Sequence, residues 1–251
     1  MHAMIKQLSV SLVIPMFNEE GCIEGTVKTL RDFFNSLGLN FEIIVIDDGS
    51  TDGSFRILED LRGDYSSLRV IRLAKNTGIG RALRTGFEGA KHDVIIYTDA
   101  DLPVQICGLK KGLDMLLENN ADIVVGSRVG KRESLSRLVY TSVYNFIIRH
   151  LFRLDIQDVN CAMKIIRRSK IKEACLRSEG PFIDAEILIK AKNIGLKILE
   201  IEVENVPRKD GFSKFASNKT IIFTIFKMLS ELLMIYPDLI HPRIEYAKIN
   251  H

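Results

Sequence analysis

The sequence predicts an α/β fold in which a mostly parallel sheet has helices on both faces and a C-terminal amphipathic helical appendage follows. Three observations predict it. Strand-like and helix-like segments alternate through the first half of the 251 residues. The run 41–50 is apolar up to its polar end, as expected for a strand covered on both faces. The final helical segment, 220–236, carries a wider apolar face than one globular contact usually buries.

The alternation can be followed along the chain. Residues 9–15 are apolar and β-branched, which predicts the first strand, and residues 24–38 have apolar side chains at helical spacing and stop at Gly38. The same criteria predict, in order, a strand over 41–50, a helix over 54–64, a strand over 68–74, a helix within 76–91, a strand over 93–101, a helix near 109–120 and a strand over 121–128. This rhythm is typical of a parallel sheet with crossover helices.

The second half has a different pattern. Residues 134–155 predict one long helix, and the segments MKIIRR, DAEILIKAKNIG and KILEIEVENVP indicate further strands and a helix before the last helix. No repeat or Pro/Gly-rich linker divides the chain. One domain with a C-terminal appendage is the simplest division.

Composition excludes several classes of protein. With 35 Lys and Arg against 32 Asp and Glu, the net charge of +3 is too small to indicate nucleic acid as a partner. The four cysteines lack paired spacing, so we expect neither a disulfide framework nor a zinc site. We expect the protein in a reducing compartment. The start of the chain resembles a strand more than a signal peptide. No run of about 18 apolar residues indicates a plain membrane span.

Polar clusters follow three of the predicted strands, at 15–20, 47–50 and 99–101. The carboxyl ends of parallel strands meet at one edge of the sheet, where ligands bind. Carboxylates gathered there repel one another unless a cation is present, and Mg²⁺ takes carboxylate and phosphate oxygens. The residues therefore predict a metal–diphosphate site. Each cluster has a structural alternative: Ser50 or Thr51 could cap a helix, as could the two aspartates of 99–101, and the glycines of 76–80 could serve packing.

Five segments in this order, SLVIPMFNEE, IVIDDGSTDGS, NTGIGRALRTGFEGA, YTDADLP and VVGSR, resemble the family 2 inverting glycosyltransferases of GT-A fold. The resemblance covers about residues 9–128. Beyond it, DVNCAMKIIRR, EGPFIDAEI and RKDGFSKF resemble the branch that makes dolichyl-phosphate mannose or glucose. The resemblance implies a catalytic domain over 9–217, with a nucleotide-sugar part (9–128) and an acceptor part (129–217). A C-terminal amphipathic segment over 218–251 is a candidate for membrane-interfacial binding.

The resemblance also implies roles for individual residues. Asp99 and Asp101 would form the DXD motif that binds Mg²⁺ or Mn²⁺ with the donor diphosphate, and with Arg128 they are the expected catalytic residues. The expected donor-binding residues are Pro15, Asn18, Glu20, Asp47, Asp48, Gly78, Arg81, Asp99, Ala100 and Asp101. The expected acceptor-phosphate residues are Arg128, Arg137, Thr141, Asn145, Lys164, Arg208, Ser213 and Lys214.

The sequence departs from the family pattern in three motifs. Pro103 stands where a Gln often supplies a third metal ligand, and Ile79 where a basic residue often lies between the two glycines. Ala162 and Met163 replace the usual Gly-Phe pair. The last two departures concern sugar specificity and acceptor contacts more than the class of reaction.

The long helix suggests a phosphate acceptor independently. Arg137, Thr141, Asn145 and Arg149 are four residues apart and form one polar stripe on an apolar helix. Arg can hold phosphate in a bidentate fork, and a phosphate monoester is largely a dianion at neutral pH, so it needs no general base. The alternative is an ordinary solvated helix face.

In 220–236 the polar residues Thr220, Thr224, Lys227 and Glu231 form one narrow stripe. Lys227 and Glu231 argue against a deep membrane span. The helix could lie in a membrane interface, be sandwiched in the core or form a dimer contact.

The resulting expectation is a metal-dependent inverting transferase that moves a hexose from GDP-mannose or UDP-glucose to a polyprenyl or dolichyl phosphate. We expect it in the cytoplasm, peripherally associated with the membrane surface. Asp184 is the residual general-base candidate. The alternatives are a family 2 transferase acting on a sugar hydroxyl and a non-catalytic nucleotide-sugar-binding module. A processive synthase is disfavoured, since such members carry a Gln-x-x-Arg-Trp motif and this chain has no Trp.

Overall fold

A computed structural model describes residues 8–130, 135–206 and 218–240 of the chain. The expected acceptor residues Arg208, Ser213 and Lys214 lie outside these ranges, and the side chain of Arg137 is not among those described. The predicted functions of these four residues therefore remain predictions.

Seven strands form one sheet in the order β3-β2-β1-β4-β6-β5-β7. Their bounds are β1 Ser9–Met16, β2 Asn40–Asp47, β3 Leu68–Arg72, β4 Val94–Tyr97, β5 Ile123–Val129, β6 Lys164–Arg167 and β7 Ile198–Glu204. All neighbours are parallel except those of β6, which runs antiparallel to β4 and β5. The mostly parallel sheet is confirmed. Its antiparallel strand comes from MKIIRR, in the half of the chain where the alternating pattern stops.

The helices are α1 Ile23–Ser36, α2 Ser54–Asp64, α3 Ile79–Gly89, α4 Ile106–Glu118, α5 Leu135–Phe152, α6 Arg168–Glu173, α7 Ile183–Asn193 and α8 Asn218–Ile240. The first four cover the sheet. The central strands β1, β2 and β4 are consequently buried on both faces from Val10, Glu42 and Val94 onward. Predicted strand 93–101 ends early, at Tyr97, because Asp99 to Asp101 turn away into a loop.

The C-terminal helix packs on the rest of the fold through one stripe. Met228, Leu232, Ile235 and Leu239 are buried and belong to the hydrophobic core. On the same helix Phe226, Leu233 and Met234 are 72%, 75% and 79% exposed. The helix is therefore not sandwiched in the core; one side packs inward and apolar side chains remain on the other.

Candidate functional site

The three polar clusters meet at one edge of the sheet. Strands β2, β1 and β4 are neighbours and end at Asp47, Met16 and Tyr97. The amide of Asp48 donates to the carbonyl of Met16 at 2.8 Å, and the amide of Thr98 donates to that of Val13 at 3.2 Å. The strand ladders therefore bring the loops after all three strands together, as the sequence predicts.

The loops after β1 and β2 are joined by hydrogen bonds. Asn18 has a positive φ of 53°, and its Oδ1 accepts from the amide of Thr51 at 2.8 Å. Ser50 Oγ accepts from the amide of Asn18 at 3.0 Å, and Glu20 Oε2 accepts from that of Gly53 at 2.7 Å. Ser50 and Thr51 thus link two loops, and helix α2 has Gly53 as its N-cap without a side-chain cap. Asn18 and Glu20 act at least in part by shaping this edge.

Asp48 holds the segment 76–80, which leads into α3 and is called the glycine loop below. Its Oδ1 accepts from the amide and the hydroxyl of Thr77, and its Oδ2 from the amide of Gly78, all at 2.8 Å. Gly78 has a φ of 105°, which only glycine adopts readily. Asp47 is fully buried, accepts from the amide of Ser50 at 2.8 Å and lies 3.2 Å from Arg72 Nε. The two adjacent carboxylates therefore fix different loops.

Of the remaining donor-site expectations, Pro15 is a buried residue of β1 in register with Ile46. Arg81 is exposed at the start of α3.

The Asp99–Asp101 loop is held from three sides. The carbonyl of Ala100 accepts from Thr26 Oγ1 of α1 at 2.6 Å. Tyr97, buried at the end of β4, places its hydroxyl 3.3 Å from Asp99 Oδ1. The amide of Leu102 closes the turn on the carbonyl of Asp99 at 3.1 Å. The two carboxylates are consequently fixed at the sheet edge, each partly exposed.

The electrostatics of this loop favour a bound cation. The pKa of Asp99 is raised to about 7, first by burial and then by the negative charges of Asp101 and Asp184, while Arg128 opposes the rise. A divalent cation would relieve this repulsion, and the oxygens of Asp99 and Asp101 are the hard donors that Mg²⁺ and Mn²⁺ take. No group of three acidic, His or Cys side chains within the described ranges could hold a metal by itself. The residues fit a cation bound by two carboxylates and completed by a substrate diphosphate.

Arg128, near the end of β5, forms a bidentate pair with Asp158. Its Nε and Nη2 lie 2.8 Å and 3.0 Å from the two carboxylate oxygens, and Nη2 also donates to the carbonyl of Asn160 at 3.2 Å. Asp158 raises the pKa of Arg128 above its ordinary value against the effect of burial. The sequence reasoning gave Asp158 no role, although it begins the DVNCAMK motif. The guanidinium of Arg128 is thus oriented by Asp158, which lies 30 residues away in sequence.

Lys164 lies in the interior, which corrects the expectation that it contacts the acceptor phosphate. It is 0% exposed, and its Nζ donates to the carbonyls of Val159 and Cys161 and to Asp184 Oδ1. These three acceptors use the three donors of a lysine ammonium. Burial raises the pKa of Asp184, and the charge of Lys164 opposes that rise. The motif placed Lys164 correctly at the start of β6 but could not show that its side chain points inward.

Helix α5 buries two polar residues of its stripe and exposes several apolar side chains. Thr141 and Asn145 are 9% and 7% exposed, whereas Phe146 is 61% exposed. Val143, Ile147 and Leu151 of the same helix are also exposed. The expected alternative of a solvated polar face is wrong for Thr141 and Asn145, because these two side chains face the protein interior.

Side chains of α5 and α8 line a cavity of about 70 Å³ between the two helices. It is lined by Val143, Tyr144, Ile147, Ile148, Phe182, Met228, Leu229 and Leu232. We call the exposed residues Val143, Phe146, Ile147, Leu151, Phe226, Leu229, Leu233 and Met234 the outer apolar face. No helix within the described ranges has the length and hydrophobicity of a membrane span.

Comparisons with known proteins identify the family of this chain. The family model described as "Glycosyl transferase family 2" matches residues 11–174. The chain is 29% identical over 208 residues to the undecaprenyl-phosphate 4-deoxy-4-formamido-L-arabinose transferase of Aeromonas hydrophila, covering 82% of this chain and 62% of that protein. It is 28% identical over 236 residues to the dodecaprenyl-phosphate galacturonate synthase of Rhizobium johnstonii, covering 92% and 67%. The chain thus spans about two thirds of the length of these relatives.

Among solved structures, glucosyl-3-phosphoglycerate synthase of Mycobacterium tuberculosis superposes with a TM-score of 0.70 at 18% identity, covering 92% of this chain and 82% of that one. Such a likeness shows the fold, and the expected GT-A fold is confirmed. The five N-terminal motifs, the acidic sheet edge and a family match over most of the chain lead to one conclusion: the chain belongs to glycosyl transferase family 2.

Proposed function

We propose that this chain transfers a hexose from a nucleotide sugar to a polyprenyl or dolichyl phosphate at a membrane surface. Residues 9–217 form the catalytic domain, with the donor part over 9–128 and the acceptor part over 129–217. Residues 218–251 attach the domain peripherally to the cytoplasmic side of the membrane.

The donor half of the proposal is supported by the acidic edge. Asp99 and Asp101 face the same edge as Asp48, whose carboxylate organises the glycine loop. The mycobacterial synthase of the same fold was solved with Mn²⁺ and UDP. In this proposal the donor is GDP-mannose or UDP-glucose, and Asp99 and Asp101 would hold a Mg²⁺ or Mn²⁺ ion, which would supply positive charge to the departing nucleoside diphosphate.

The proposal of a lipid phosphate acceptor rests on the burial pattern of α5. A helix at an aqueous surface places polar residues outward, but α5 buries Thr141 and Asn145 and exposes Phe146. Together with α8 it presents the outer apolar face, a surface suited to the interface where a lipid phosphate lies. Both relatives named above act on polyprenyl phosphates according to their names.

The Lys164–Asp184 pair favours a phosphate nucleophile over a hydroxyl. A hydroxyl acceptor needs a general base within reach of its proton. Asp184 is the residual candidate, but its carboxylate is bound by a buried ammonium and is only 8% exposed. A phosphate monoester is already largely a dianion at neutral pH, so its oxygen can attack without such a base.

In the proposed reaction an acceptor phosphate oxygen attacks the anomeric carbon from the face opposite the leaving group. The new bond joins the sugar to the acceptor phosphate, and the bond to the nucleoside diphosphate breaks with its electron pair. One displacement inverts the anomeric configuration. Arg128, aligned by Asp158, contributes positive charge near Asp99 where two polyanions must meet.

A substrate panel tests the proposal. The chain is incubated with GDP-mannose or UDP-glucose, with Mn²⁺ or Mg²⁺, and with a short polyprenyl phosphate or soluble sugars, and the product's anomeric configuration is determined by NMR. We expect turnover with polyprenyl phosphate and inversion. Turnover with soluble sugars alone would favour hydroxyl transfer, retention would contradict the single displacement, and nucleotide-sugar binding without turnover would favour a binding module.

A further inference from the structure

Glu231 is a half-buried carboxylate of α8, next to the inward-packed Met228, Leu232 and Ile235. Its Oε2 accepts from the hydroxyl of Ser178 and from the amide of Phe182, both at 3.1 Å. Phe182 is the N-cap of α7, where helix amides lack intrahelical acceptors and the helix dipole favours negative charge. Gly180 lies so close that a Cβ on it would collide with the carboxylate. Glu231 therefore fixes the turn 178–182.

The turn 178–182 is in direct contact with the glycine loop of the donor side. The amide of Arg81 donates to the carbonyl of Glu179 at 3.2 Å. A Cβ on Gly80 would lie 2.6 Å from the carbonyl oxygen of Ser178, so the two backbones touch. Gly78 is equally close to Glu179. A displacement of the turn would consequently displace the glycine loop.

The glycine loop is in turn bound to Asp48, whose carboxylate accepts hydrogen bonds of 2.8 Å from the amides of Thr77 and Gly78. A continuous series of contacts thus runs from Glu231 on α8, through the turn and the glycine loop, to a carboxylate expected to bind the donor nucleotide. Every link joins segments that are distant in sequence.

Packing alone does not require a carboxylate here. The neighbouring inward residues Met228, Leu232 and Ile235 attach α8 by apolar contact. Glu231 is half-buried, and partial burial of a charged group costs free energy unless hydrogen bonds compensate it. The compensation for Glu231 comes from the turn, and this points to a positional role.

We infer that Glu231 is a positioning residue for donor binding: by holding the turn 178–182 against the glycine loop, it keeps that loop in the conformation that receives the nucleotide. The inference rests on the proposed function, because it assumes a nucleotide-sugar donor. It makes α8, whose other side carries the outer apolar face, a structural part of the donor site.

The test compares Glu231→Leu with Glu231→Gln in the full chain. Binding of UDP and of GDP in the presence of Mn²⁺ is measured by calorimetry, and the KM values for donor and acceptor are determined separately. Loss of a charge-assisted hydrogen bond predicts about tenfold weaker nucleotide binding and a donor KM raised about tenfold for Glu231→Leu. The acceptor KM stays unchanged, and Glu231→Gln, which keeps an acceptor oxygen, is closer to the wild type.

Two controls separate positioning from general loosening. Glu118→Leu changes an exposed carboxylate at the end of α4 and leaves nucleotide binding unchanged. Leu232→Ala loosens α8 beside Glu231 without removing the carboxylate, and its thermal midpoint falls with a smaller effect on donor KM. Equal donor effects in Leu232→Ala and Glu231→Leu at equal loss of stability would overturn the inference.

The outcomes also distinguish this inference from the proposed function. If the wild-type chain binds nucleotide and Glu231→Leu binds it equally well, the positioning role fails while the function stands. If the wild-type chain binds neither UDP nor GDP with Mn²⁺, the proposed function fails and the inference with it.

Discussion

The ammonium of Lys164 and the carboxylate of Asp184 form an ion pair inside the protein, between the start of β6 and the first turn of α7. The pair lies below the acidic edge, since Lys164 Nζ is 5.6 Å from the ring centroid of Tyr97, whose hydroxyl contacts Asp99. Because this buried pair lies near the carboxylates of Asp99 and Asp101, it affects both the stability of the fold and the electrostatics of the site.

Breaking the pair on one side has a predictable cost. Lys164→Met leaves Asp184 buried without its cation, and we expect a loss of about 3–5 kcal/mol in the free energy of unfolding. The double variant Lys164→Met with Asp184→Asn leaves no uncompensated charge, so its loss is smaller. Urea denaturation of the three proteins measures both effects, and a double variant as unstable as Lys164→Met would contradict the pairing.

The same pair predicts a kinetic result. If Asp184 is not a general base, Asp184→Asn retains kcat within about tenfold on a polyprenyl phosphate acceptor, since loss of a general base costs about 10²–10⁴-fold. The measurement is steady-state turnover at pH 7 with folding checked by circular dichroism. A loss of about 10³-fold in a folded variant would restore Asp184 as the base.

Asp101→Asn tests the cation site. Removal of one of two carboxylate ligands is expected to lower kcat by about 100-fold or more, because metal stabilisation of a leaving diphosphate contributes several kcal/mol. The thermal midpoint in EDTA stays near that of the wild type. Asp60→Asn, at an exposed position on α2, is the matched control and keeps full activity. Full metal-dependent activity in Asp101→Asn would refute the assignment.

The raised pKa of Asp99 predicts how stability depends on pH without metal. Its folded pKa is about 7, above the unfolded value near 4, so between these values the native state holds a proton that the unfolded chain has released. The contribution of Asp99 is therefore fully present below about pH 4 and is lost as the pH rises to about 7. Thermal midpoints in EDTA from pH 5 to pH 8 should fall more for the wild type than for Asp99→Asn. If the thermal midpoints of the wild type and Asp99→Asn fall equally over this pH range, the raised pKa of Asp99 is contradicted.

The outer apolar face predicts membrane binding. Phe146→Glu places a charge on it at a position that is 61% exposed, so we expect weaker sedimentation with vesicles of phosphatidylcholine and polyprenyl phosphate, without a change in thermal midpoint. Phe146→Leu keeps the position apolar and is the matched control. Undiminished vesicle binding of Phe146→Glu would exclude this part of the face from the interface.

Local patterns were sufficient for the elements of the first half and for the acidic edge. The strand and helix periodicities over 9–128 and the polar residues after β1, β2 and β4 are encoded in adjacent positions, so they could be predicted. The antiparallel direction of β6 could not, because a four-residue strand, Lys164–Arg167, carries no signal of its orientation. Asp158 was missed because its partner Arg128 is 30 residues away.

The sequence by itself determined an α/β chain with carboxylates at the ends of three strands, because strand alternation and parallel crossovers leave those ends at one edge. Only the tertiary structure decided which way side chains point when a periodic stripe could face either direction. Lys164, Thr141 and Asn145 were expected at the acceptor phosphate, with a solvated helix face as the alternative for the last two, but all three side chains are buried. For Lys164 that choice depends on the tertiary structure, which places Asp184 and the carbonyls of Val159 and Cys161 around its buried ammonium.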